Sequence, residues 1–308
     1  MSPGSSDLPG PGPDLRAALG AFHGVVRENV NLAPMTHVRI GGPARWLVEP
    51  RTVGDVAAVV RACRELDLPL QVLGGGSNVL IADAGLAGVV LRLGAFQGIV
   101  RDGERCTVGA GVTLPSLIRL TKDAGLAGLE LLIGIPAEVG GAVAMNAGTR
   151  EASTFDTLAS ATLVDAAGAV RTLTRAELQP RYRDGGLDGR IVVEATFALR
   201  RDEPGAIQAR LEESLRRRNA TQPVTMRSVG CVFRNPGPEC AAGALIERAG
   251  CKLLRRGGIS VSARHANYFV NEGEGTARDF LDLMCEVRAR VKDLAGVELE
   301  PEVKILGF

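Results

Sequence analysis

The sequence predicts a protein of mixed α/β and α+β class with more than one domain. The chain has 308 residues, enough for two or three domains at roughly 150 residues each. Helical and strand-like hydrophobic patterns alternate along most of its length. Glycine is also unusually frequent, with 39 residues, many of them in clusters. Clustered glycine is typical of tight turns and of backbone that another group must approach closely.

The first half of the chain predicts alternating helices and strands. Residues 1–13 are rich in Pro, Gly and Ser and predict a disordered tail. Residues 52–67 predict a helix capped by Thr52. Residues 69–82 predict a strand, a glycine turn and a second strand, and residues 112–125 predict another capped helix. The apolar face of the first of these helices is formed by Val56, Val59, Val60 and Cys63.

The second half changes character near residue 203. Before that point, residues 161–174 predict a hairpin that turns on the sequence DAAG, and residues 190–200 predict a strand. After it, residues 202–220 predict a charged helix, and residues 276–296 predict the longest amphipathic helix, which begins with a capping box. Residues 297–308 return to a strand pattern. The sequence therefore predicts an α/β part, an α+β part and a basic third part, followed by a closing strand.

The overall charge and the cysteines argue against several function classes. The net charge is +1, so electrostatics gives no reason to expect a nucleic acid or an acidic membrane as partner. The six cysteines contain no C-x-x-C pair and the three histidines are scattered, so we expect no bound metal. No secretory signal and no apolar run of about 18 residues is present. We therefore expect a soluble, cytoplasmic protein with reduced thiols.

The first glycine cluster, LGGGSN at 73–78, is not a dinucleotide fingerprint. A Rossmann fingerprint needs G-x-G-x-x-G followed by a helix, whereas here the next residue is Val79 and the following pattern is a strand. The P-loop pattern is absent as well. The backbone amides of three successive glycines can still bind a phosphate. A plain turn and a phosphate-binding turn are equally consistent with this cluster alone.

The second glycine cluster is GIPAEVGGAVAMNAG at 134–148, in which Glu138 is the single charged residue. Because glycine costs conformational entropy in both helices and strands, we expect this segment to form neither. Its composition favours backbone that lies against a large flat ligand. Two such clusters, sixty residues apart, suit an extended dinucleotide such as FAD.

Seven short motifs occur in a characteristic order along the chain. They are GGGSN, GIPAEVGGAVAMNAG, RYRDG, SVGCVFRNP, AGALIERAG, HANYFVN and LEPEVKILG. In this order the chain resembles the UDP-N-acetylenolpyruvoylglucosamine reductase family, flavoproteins of peptidoglycan precursor synthesis. The resemblance runs from about residue 36 to the C-terminus. The length resembles that of the shorter branch, which lacks an inserted substrate-binding loop.

The resemblance implies an FAD-binding fold of the vanillyl-alcohol-oxidase (PCMH) type with a C-terminal α+β substrate domain. It also implies that NADPH reduces bound FAD and that the reduced flavin then transfers a hydride to UDP-N-acetylglucosamine-enolpyruvate, giving UDP-N-acetylmuramate. A solvated helical face or an anionic ligand would explain the excess of Lys and Arg at 201–264, and a diphosphate substrate favours the second. The implied domains are a tail 1–13, FAD-binding subdomains 14–84 (joined by strand 301–308) and 85–203, and a substrate-binding domain 204–300.

The resemblance also implies three catalytic residues. Arg183 in RYRDG matches an arginine that stabilises developing negative charge, and Glu302 in PEVKILG matches a glutamate at the reacting end. Without the resemblance, each would be interpreted as an ordinary surface charge. Cys231 occupies the position where many relatives carry a serine that donates a proton. A thiol with a pKa of about 8.5 is protonated at neutral pH and can donate, although a lone cysteine is more commonly a small core residue.

The remaining site residues are implied by the same motifs. Tyr182, Arg234 and Asn235 are expected to contact substrate. No metal ligand, nucleic acid or membrane is expected, and a monomer is favoured. Two alternatives stay open, namely another flavin oxidase of the same fold and a catalytically inactive flavin- or nucleotide-sugar-binding homologue. The residues expected to bind FAD are Arg39, Gly74, Gly75, Gly76, Ser77, Asn78, Gly134, Ile135, Pro136, Gly140, Gly141, Ala142, Asn146, Ala147 and Gly148.

Overall fold

The computed structural model describes residues 14–237 and 239–308. The predicted tail at 1–13 lies outside these residues. The described chain divides into two compact units. The first unit contains residues 14–28 together with Trp46–Gly75 and Gly88–Arg216, and the second contains Asn29–Arg45, Gly76–Ala87 and the described part of Arg217–Phe308. The finer domain limits given above stay a prediction.

The described residues form helices and strands in nearly equal measure along the chain. The helices are α1 Leu15–Leu19, α2 Val53–Glu65, α3 Leu114–Asp123, α4 Val139–Ala144, α5 Arg175–Leu178, α6 Pro204–Thr221, α7 Ala242–Arg248 and α8 Ala277–Ala295. The strands are β1 Val25–Asn31, β2 Pro43–Glu49, β3 Leu70–Val72, β4 Val79–Ile81, β5 Leu86–Leu91, β6 Ile99–Asp102, β7 Arg105–Gly109, β8 Leu126–Ala127, β9 Leu158–Val164, β10 Val170–Thr174, β11 Ile191–Ala198, β12 Arg200–Arg201, β13 Ser228–Cys231, β14 Arg255–Arg256, β15 Ile259–Val261, β16 Tyr268–Asn271 and β17 Lys304–Leu306.

The elements that local sequence signals predict are confirmed. Thr52 and Asp55 form a complete capping box at the start of α2, and Thr276 and Asp279 form another at the start of α8. Capping satisfies the amides that the first helical turn leaves unpaired. The predicted hairpin is the antiparallel pair β9 and β10, and the predicted helix at 112–125 is α3, which ends shortly before Gly125. The apolar face of α2 is buried as predicted at Val56, Val59, Val60 and Cys63.

The first unit is built around a five-stranded sheet with the order β10-β9-β11-β7-β6. Its described neighbouring pairs are antiparallel. A second sheet has the order β1-β2-β5-β3, in which β3 and β5 pair in parallel. Helices α2, α3 and α4 contribute apolar side chains to one core with the sheet. Burial of those side chains is the main stabilising contribution in this unit.

The prediction that residues 134–148 form no regular structure is wrong for Val139–Ala144, which form α4. A Cβ built on Gly140 would lie 3.0 Å from Cβ of Ala110, the residue after β7. The Gly140 amide also donates a hydrogen bond to the Ala110 carbonyl at 2.9 Å. Val139 and Val143 are fully buried. Close packing against the sheet therefore outweighs the low helix propensity of glycine.

The second unit is built on a four-stranded antiparallel sheet with the order β13-β16-β15-β14. Helices α7 and α8 share its core, in which Phe269 packs at 6.0 Å from Phe233 and 5.3 Å from Phe280, measured between ring centroids. The closing strand predicted at the C-terminus is β17, which pairs in parallel with β4. Among residues 14–237 and 239–308, no helix is long and apolar enough to cross a membrane.

Candidate functional site

In the first unit the two glycine clusters lie against each other. A Cβ on Gly75 would lie 3.6 Å from the Pro136 carbonyl oxygen and 3.8 Å from the Glu138 amide nitrogen. A Cβ on Gly74 would lie 3.5 Å from Glu138 Oε2. These are ordinary van der Waals distances, so protein packing does not require glycine at either position. The missing side chains instead leave backbone accessible to another group.

The helix α4 has two adjacent glycines in different surroundings. Gly140 packs on Ala110, whereas a Cβ on Gly141 would meet no described atom within 4 Å. The Pro136 carbonyl and the open backbone at Gly141 belong to the same fifteen-residue segment predicted to bind FAD. Open backbone at Gly74, Gly75 and Gly141 is the arrangement that a large flat cofactor needs. These residues fit FAD.

Glu138 places a carboxylate in this glycine-rich region. Burial raises the pKa of Glu138, and the guanidinium of Arg92 opposes that effect. Arg92 Nη2 lies 4.0 Å from Glu138 Oε1, and its Nη1 lies 4.0 Å from Glu49 Oε1. Arg92 therefore offsets negative charge beside the backbone that is expected to bind a diphosphate.

The end of the second glycine segment is held beside Tyr182 and Arg183. Asn146, which has a positive φ of 40°, donates from Nδ2 to the Arg181 carbonyl at 3.1 Å. Arg183 donates from Nη2 to the Gly148 carbonyl at 2.9 Å, and its guanidinium lies 4.8 Å from the centroid of the Tyr182 ring. A cleft of about 230 Å³ is lined by Asn146, Tyr182 and Arg183 together with residues 149–153 and Asp156. The structure thus brings predicted cofactor, substrate and catalytic residues together in the first unit.

The other residues of the first unit that were predicted to bind FAD lie along the same segment. Gly134 has a positive φ of 82°, which favours glycine, and the Ile135 amide donates to the Leu132 carbonyl at 3.2 Å. Ala142 is buried within α4. The Ala147 amide donates to the Ala142 carbonyl at 2.8 Å. These contacts within the protein hold the backbone of the segment in its conformation.

In the second unit, the remaining residues of the first glycine cluster have a structural function of their own. Gly76 has a φ of 69°, and a Cβ there would lie 2.1 Å from the Met35 carbonyl oxygen. Its carbonyl accepts from the His37 amide at 2.9 Å. Arg39, with a φ of 59°, donates from Nη1 to the Pro34 carbonyl at 2.6 Å. Ser77 and Asn78 follow directly and lead into β4. Gly76 is thus required by the fold, unlike Gly74 and Gly75.

Cys231 ends β13, which contains a β-bulge. Ser228 lies opposite Val270 of β16, but Cys231 lies opposite Tyr268, so the register shifts by one residue between them. Gly230 supplies the backbone conformation of the bulge, with a φ of 78°. Residues directly opposite each other in an antiparallel pair direct their side chains to the same face. The bulge therefore brings the thiol to the phenol.

Tyr268 joins Cys231 to other polar groups. Its hydroxyl donates to Gln222 Oε1 at 2.9 Å, and its side chain is hydrogen-bonded to Cys231. Burial raises the pKa of Tyr268, and the charges of Cys231 and Glu302 raise it further, while Arg218 lowers it. The four ionisable groups therefore lie within one electrostatic cluster. Sequence reasoning missed Tyr268, although it stands in the quoted motif HANYFVN.

Glu302 is fixed in the same unit by its backbone. Its amide donates to the Val232 carbonyl at 2.8 Å, and its carbonyl accepts from Asn78 Nδ2 at 3.2 Å. The neighbouring Arg234 amide donates to the Glu300 carbonyl at 2.9 Å. The C-terminal segment thus runs beside residues 232–234. Two of the three predicted catalytic residues, Cys231 and Glu302, are brought together here.

The segment after Cys231 is anchored by two asparagines. Asn267 accepts from the Phe233 amide at 2.9 Å and donates to the Phe233 carbonyl at 2.8 Å. Asn235, predicted to contact substrate, accepts from the Ala242 amide at the start of α7 at 3.0 Å. The side-chain oxygen of Asn235 therefore joins the start of α7 to the segment that carries Arg234. In the described ranges, 14–237 and 239–308, no group of three or more possible metal ligands occurs.

Comparison with known proteins gives two family matches. The FAD binding domain model matches residues 44–174, and the model for the C-terminal domain of UDP-N-acetylenolpyruvoylglucosamine reductase matches residues 222–306. A Physcomitrella patens BBE-like 1 variant shares the fold over 90% of this chain and 60% of its own, at 18% identity and a TM-score of 0.51. Together with the fold, these findings define the class: an FAD-binding oxidoreductase of the vanillyl-alcohol-oxidase fold.

The similarities to individual reductases are stronger. The UDP-N-acetylenolpyruvoylglucosamine reductase of Synechococcus sp. (strain WH7803) is 43% identical over 296 residues, covering 92% of this chain and 94% of that protein. That of Bradyrhizobium sp. (strain ORS 278) is 39% identical over 96% of both chains. The crystal structure of the Thermus caldophilus reductase matches 93% of this chain and all of its own, with a TM-score of 0.79 and 36% identity. The chain belongs to the UDP-N-acetylenolpyruvoylglucosamine reductase family.

The family and the fold class predicted from the sequence are thereby confirmed. The prediction that the protein is a flavoprotein that binds FAD is confirmed as well. The roles assigned to individual residues, including Arg183, Cys231 and Glu302, stay predictions. The use of NADPH and the cytoplasmic location stay predictions as well.

Proposed function

We propose that the protein reduces the enolpyruvyl group of UDP-N-acetylglucosamine-enolpyruvate to give UDP-N-acetylmuramate in peptidoglycan precursor synthesis, with NADPH as reductant. The observation that carries this proposal is the hydrogen bond from the Glu302 amide to the carbonyl of Val232, the residue after Cys231, in the second unit. Membership of the reductase family supports the choice of substrate. We further propose a monomer in the cytoplasm, without nucleic-acid, membrane or metal partners.

The open glycine backbone of the first unit would hold the cofactor. Gly74, Gly75 and Gly141 leave room for its flat rings and its diphosphate, with Gly76, Ser77, Asn78 and Arg39 as further candidates. When bound, FAD supplies the hydride for the enolpyruvyl double bond after accepting one from NADPH. The remaining chemistry belongs to the protein's own side chains.

Adding a hydride to the terminal enolpyruvyl carbon places negative charge on the substrate carboxylate as an enolate. A cation beside the carboxylate lowers the free energy of that charge. Arg183 is the proposed cation, and stacking of its guanidinium on Tyr182 restricts its orientation. The Gly148 carbonyl restricts it further by accepting from Nη2.

The carbon next to the carboxylate then requires a proton. We propose that the Sγ–H bond of Cys231 breaks, that the proton passes to this carbon and that a thiolate is left behind. Glu302 would contact the reacting end of the substrate from the segment that runs beside Val232. Arg234 would bind the anionic groups of the substrate. Asn235 would hold the segment that carries Arg234 in place through its hydrogen bond to the start of α7.

Anaerobic absorption spectroscopy tests both half-reactions. The flavin band should bleach when NADPH is added and return rapidly when UDP-N-acetylglucosamine-enolpyruvate follows. Flavin that bleaches but stays reduced with this substrate would contradict the proposal and indicate an inactive binding protein. Rapid return with oxygen and an alcohol, but not with the enolpyruvyl sugar, would indicate a flavin oxidase.

Substitution of Cys231 tests the proton donor. Cys231→Ala should slow return of the oxidised flavin by about 10²- to 10⁴-fold, the range for loss of a general acid. Reduction by NADPH should change little. Cys231→Ser, the matched control, should retain much of the rate because a hydroxyl can still donate. Normal reoxidation in the alanine variant would remove Cys231 from the mechanism.

A further inference from the structure

Arg92 and Glu138 lie next to each other beside the first glycine cluster. Strands β3 and β5 pair in parallel, and just beyond them the Leu73 amide donates to the Leu91 carbonyl at 2.9 Å. Gly74 and Arg92 therefore follow two neighbouring strands at the same end of the sheet. The carboxyl ends of parallel strands are where ligands commonly bind in α/β sheets. The reaction scheme above uses neither Arg92 nor Glu138.

The backbone of Glu138 is held in place, and its carboxylate is directed to the glycine cluster. The Val139 amide donates to the Val112 carbonyl at 2.8 Å, and the Glu138 carbonyl accepts from the Ala142 amide at 2.8 Å. Glu138 precedes α4, yet its side chain makes no capping hydrogen bond to the described residues of that helix. Its Oε2 instead lies 3.5 Å from the position of a Cβ on Gly74. The carboxylate therefore stands beside backbone that is expected to bind FAD.

Arg92 is held loosely between two carboxylates. Its Nη2 lies 4.0 Å from Glu138 Oε1 and its Nη1 lies 4.0 Å from Glu49 Oε1, and both distances exceed that of a hydrogen bond. Within residues 14–237 and 239–308, the buried Nε of Arg92 has no hydrogen-bond partner. An unpaired buried donor costs free energy. A new acceptor would therefore gain the guanidinium without displacing a hydrogen bond from Nε.

The two carboxylates differ in the cations that surround them. Glu49 has a second cation, since Arg27 Nη2 lies 2.7 Å from its Oε2. In the part of the chain that the structure describes, Arg92 is the one cation within 4.0 Å of Glu138. Burial raises the pKa of Glu138, and Arg92 opposes this effect. Drawing Arg92 to another anion would therefore remove the cation that keeps Glu138 ionised and favour its protonated form.

We propose that Arg92 binds the anionic diphosphate of FAD and that Glu138 takes up a proton from solvent as the cofactor binds. The diphosphate carries the negative charge of oxidised FAD, and a guanidinium suits phosphate oxygens. A second anion beside Glu138 and the loss of Arg92 as its partner both favour the neutral carboxyl. The inference deepens the cofactor site proposed above, but it requires neither NADPH nor the enolpyruvyl substrate.

The affinity for FAD measures the contribution of Arg92. The cofactor-free protein is titrated with FAD alone, and flavin fluorescence gives the dissociation constant. Arg92→Gln should weaken binding by about 10- to 100-fold, the range for a hydrogen bond to a charged group. Binding should also depend less steeply on salt concentration in this variant, because one ion pair with the cofactor is lost. Unchanged affinity in Arg92→Gln would overturn the inference.

Arg27→Gln is the matched control. It removes an equal charge from the same cluster, but Arg27 contacts Glu49, so FAD affinity should stay within about two-fold. Equal losses of affinity in the Arg92 and Arg27 variants would mean that net charge alone attracts FAD, and would overturn the inference. Arg92→Lys keeps the charge without the planar fork of donors. Its affinity should lie between those of the natural protein and Arg92→Gln, and affinity equal to that of Arg92→Gln would contradict a bound phosphate.

Titration calorimetry measures the proton. FAD is added to the cofactor-free protein in buffers of different ionisation enthalpy across a pH series, which gives the number of protons taken up per FAD. Uptake should occur between the pKa of Glu138 in the free protein and its higher pKa in the complex. The affinity for FAD should therefore fall as the pH rises through that interval.

Glu138→Gln isolates the carboxyl group. The variant should lose this proton uptake and bind FAD as well as the natural protein does below the interval. Above it, the variant should bind about 2- to 5-fold more tightly, since one like-charge interaction is absent.

The contradicting results for the proton are separate from those for the reaction. Equal proton uptake in the natural protein and in Glu138→Gln would assign the proton to another group and overturn the coupling. Weaker FAD binding by Glu138→Gln would overturn it as well, because it would indicate a carboxylate that contacts the cofactor directly. Failure of the proposed function would instead appear as bound flavin that NADPH bleaches and the enolpyruvyl sugar does not reoxidise.

Discussion

The glycine segment of the first unit and the Cys231 strand of the second unit use glycine for opposite purposes. In α4 and in the turn after β3, the absence of side chains at Gly141, Gly74 and Gly75 leaves backbone open. In β13, Gly230 provides a backbone conformation that directs a neighbouring side chain to Tyr268. The first region leaves backbone amides accessible to a ligand, whereas the second positions a side chain that can donate a proton. Substitutions in the first region should therefore weaken FAD binding, whereas substitutions in the second should slow reoxidation of the flavin by substrate.

Among the substitutions that compare these two regions, the largest effect is expected at Gly141. Gly141→Val adds a side chain where no described protein atom lies within 4 Å, so the fold of the protein without cofactor should be retained. The affinity for FAD should fall by about 10- to 100-fold, since overpacking a fitted site typically costs 1–3 kcal/mol. Titration of the cofactor-free protein with FAD, followed by flavin fluorescence, measures the dissociation constant.

The adjacent Gly140 is the matched control. Gly140→Val would force a side chain into Ala110, so the free energy of unfolding should fall by about 1–3 kcal/mol. Denaturant titration of both cofactor-free variants distinguishes the two positions. Equal losses of unfolding free energy in the two variants would mean that Gly141 serves packing and not cofactor binding.

A smaller effect is expected at Gly230. Gly230→Ala meets no atom within 4 Å but imposes an alanine on a φ of 78°, which costs roughly 1–2 kcal/mol. The bulge should rearrange and Cys231 should lose its alignment with Tyr268. Stopped-flow reoxidation of the flavin by substrate should then slow by about 10-fold, with FAD affinity within a factor of about two.

Gly250→Ala separates this effect from backbone strain in general. Gly250 has a φ of 66° and is equally free of near neighbours, but it follows α7 and is not part of β13. Its variant should lose similar stability and keep its reoxidation rate. A slow Gly250 variant would show that strain anywhere in the second unit impairs the reaction, which would contradict a specific function for the bulge.

The smallest effect is expected at Glu138, the charge within the glycine segment. Its pKa is raised by burial, with Arg92 opposing. A carboxyl group whose pKa is higher in the folded than in the unfolded state makes the protein lose stability as the pH rises from its unfolded pKa, about 4.3, through its folded pKa. Glu138→Gln removes that loss, so its stability should exceed that of the natural protein by less than about 1 kcal/mol at neutral pH.

Thermal unfolding of both proteins at acidic and neutral pH measures this difference. The two curves should converge below the unfolded pKa of the glutamate, where both side chains are neutral. FAD should also bind slightly more tightly to Glu138→Gln, because a negative charge near the diphosphate is removed. Weaker FAD binding would instead assign Glu138 a direct contact with the cofactor.

Local sequence signals predicted many of the regular elements, and one tertiary contact explains the clearest error. The helix at Val53–Glu65 is determined by its own capping box and apolar period. The hairpin of β9 and β10 is determined by its turn residues. Helix α4 was not predicted because its stability depends on close contact between Gly140 and Ala110, thirty residues away in the chain. Glycine propensity, taken alone, argued against that helix.

The candidate site divides in the same way. The ordered motifs identified Cys231, Arg183 and Glu302 as candidates. Tyr268 was not found, because its relation to Cys231 depends on a one-residue register shift between two strands. A pattern of residue types does not show where the pairing of two strands shifts by one residue.

The sequence by itself determined the family, the class of cofactor and the residue types available for chemistry, since each depends on motifs whose order can be observed directly. The tertiary structure decided which of two neighbouring glycines is required by packing and which is not. Gly75 leaves its backbone accessible, whereas Gly76 must be glycine because the Met35 carbonyl would lie 2.1 Å from a Cβ. It also decided that a phenol from β16 meets the thiol of β13. Steric exclusion and contacts between side chains depend on distances between segments far apart in the chain, and those distances exist only after folding.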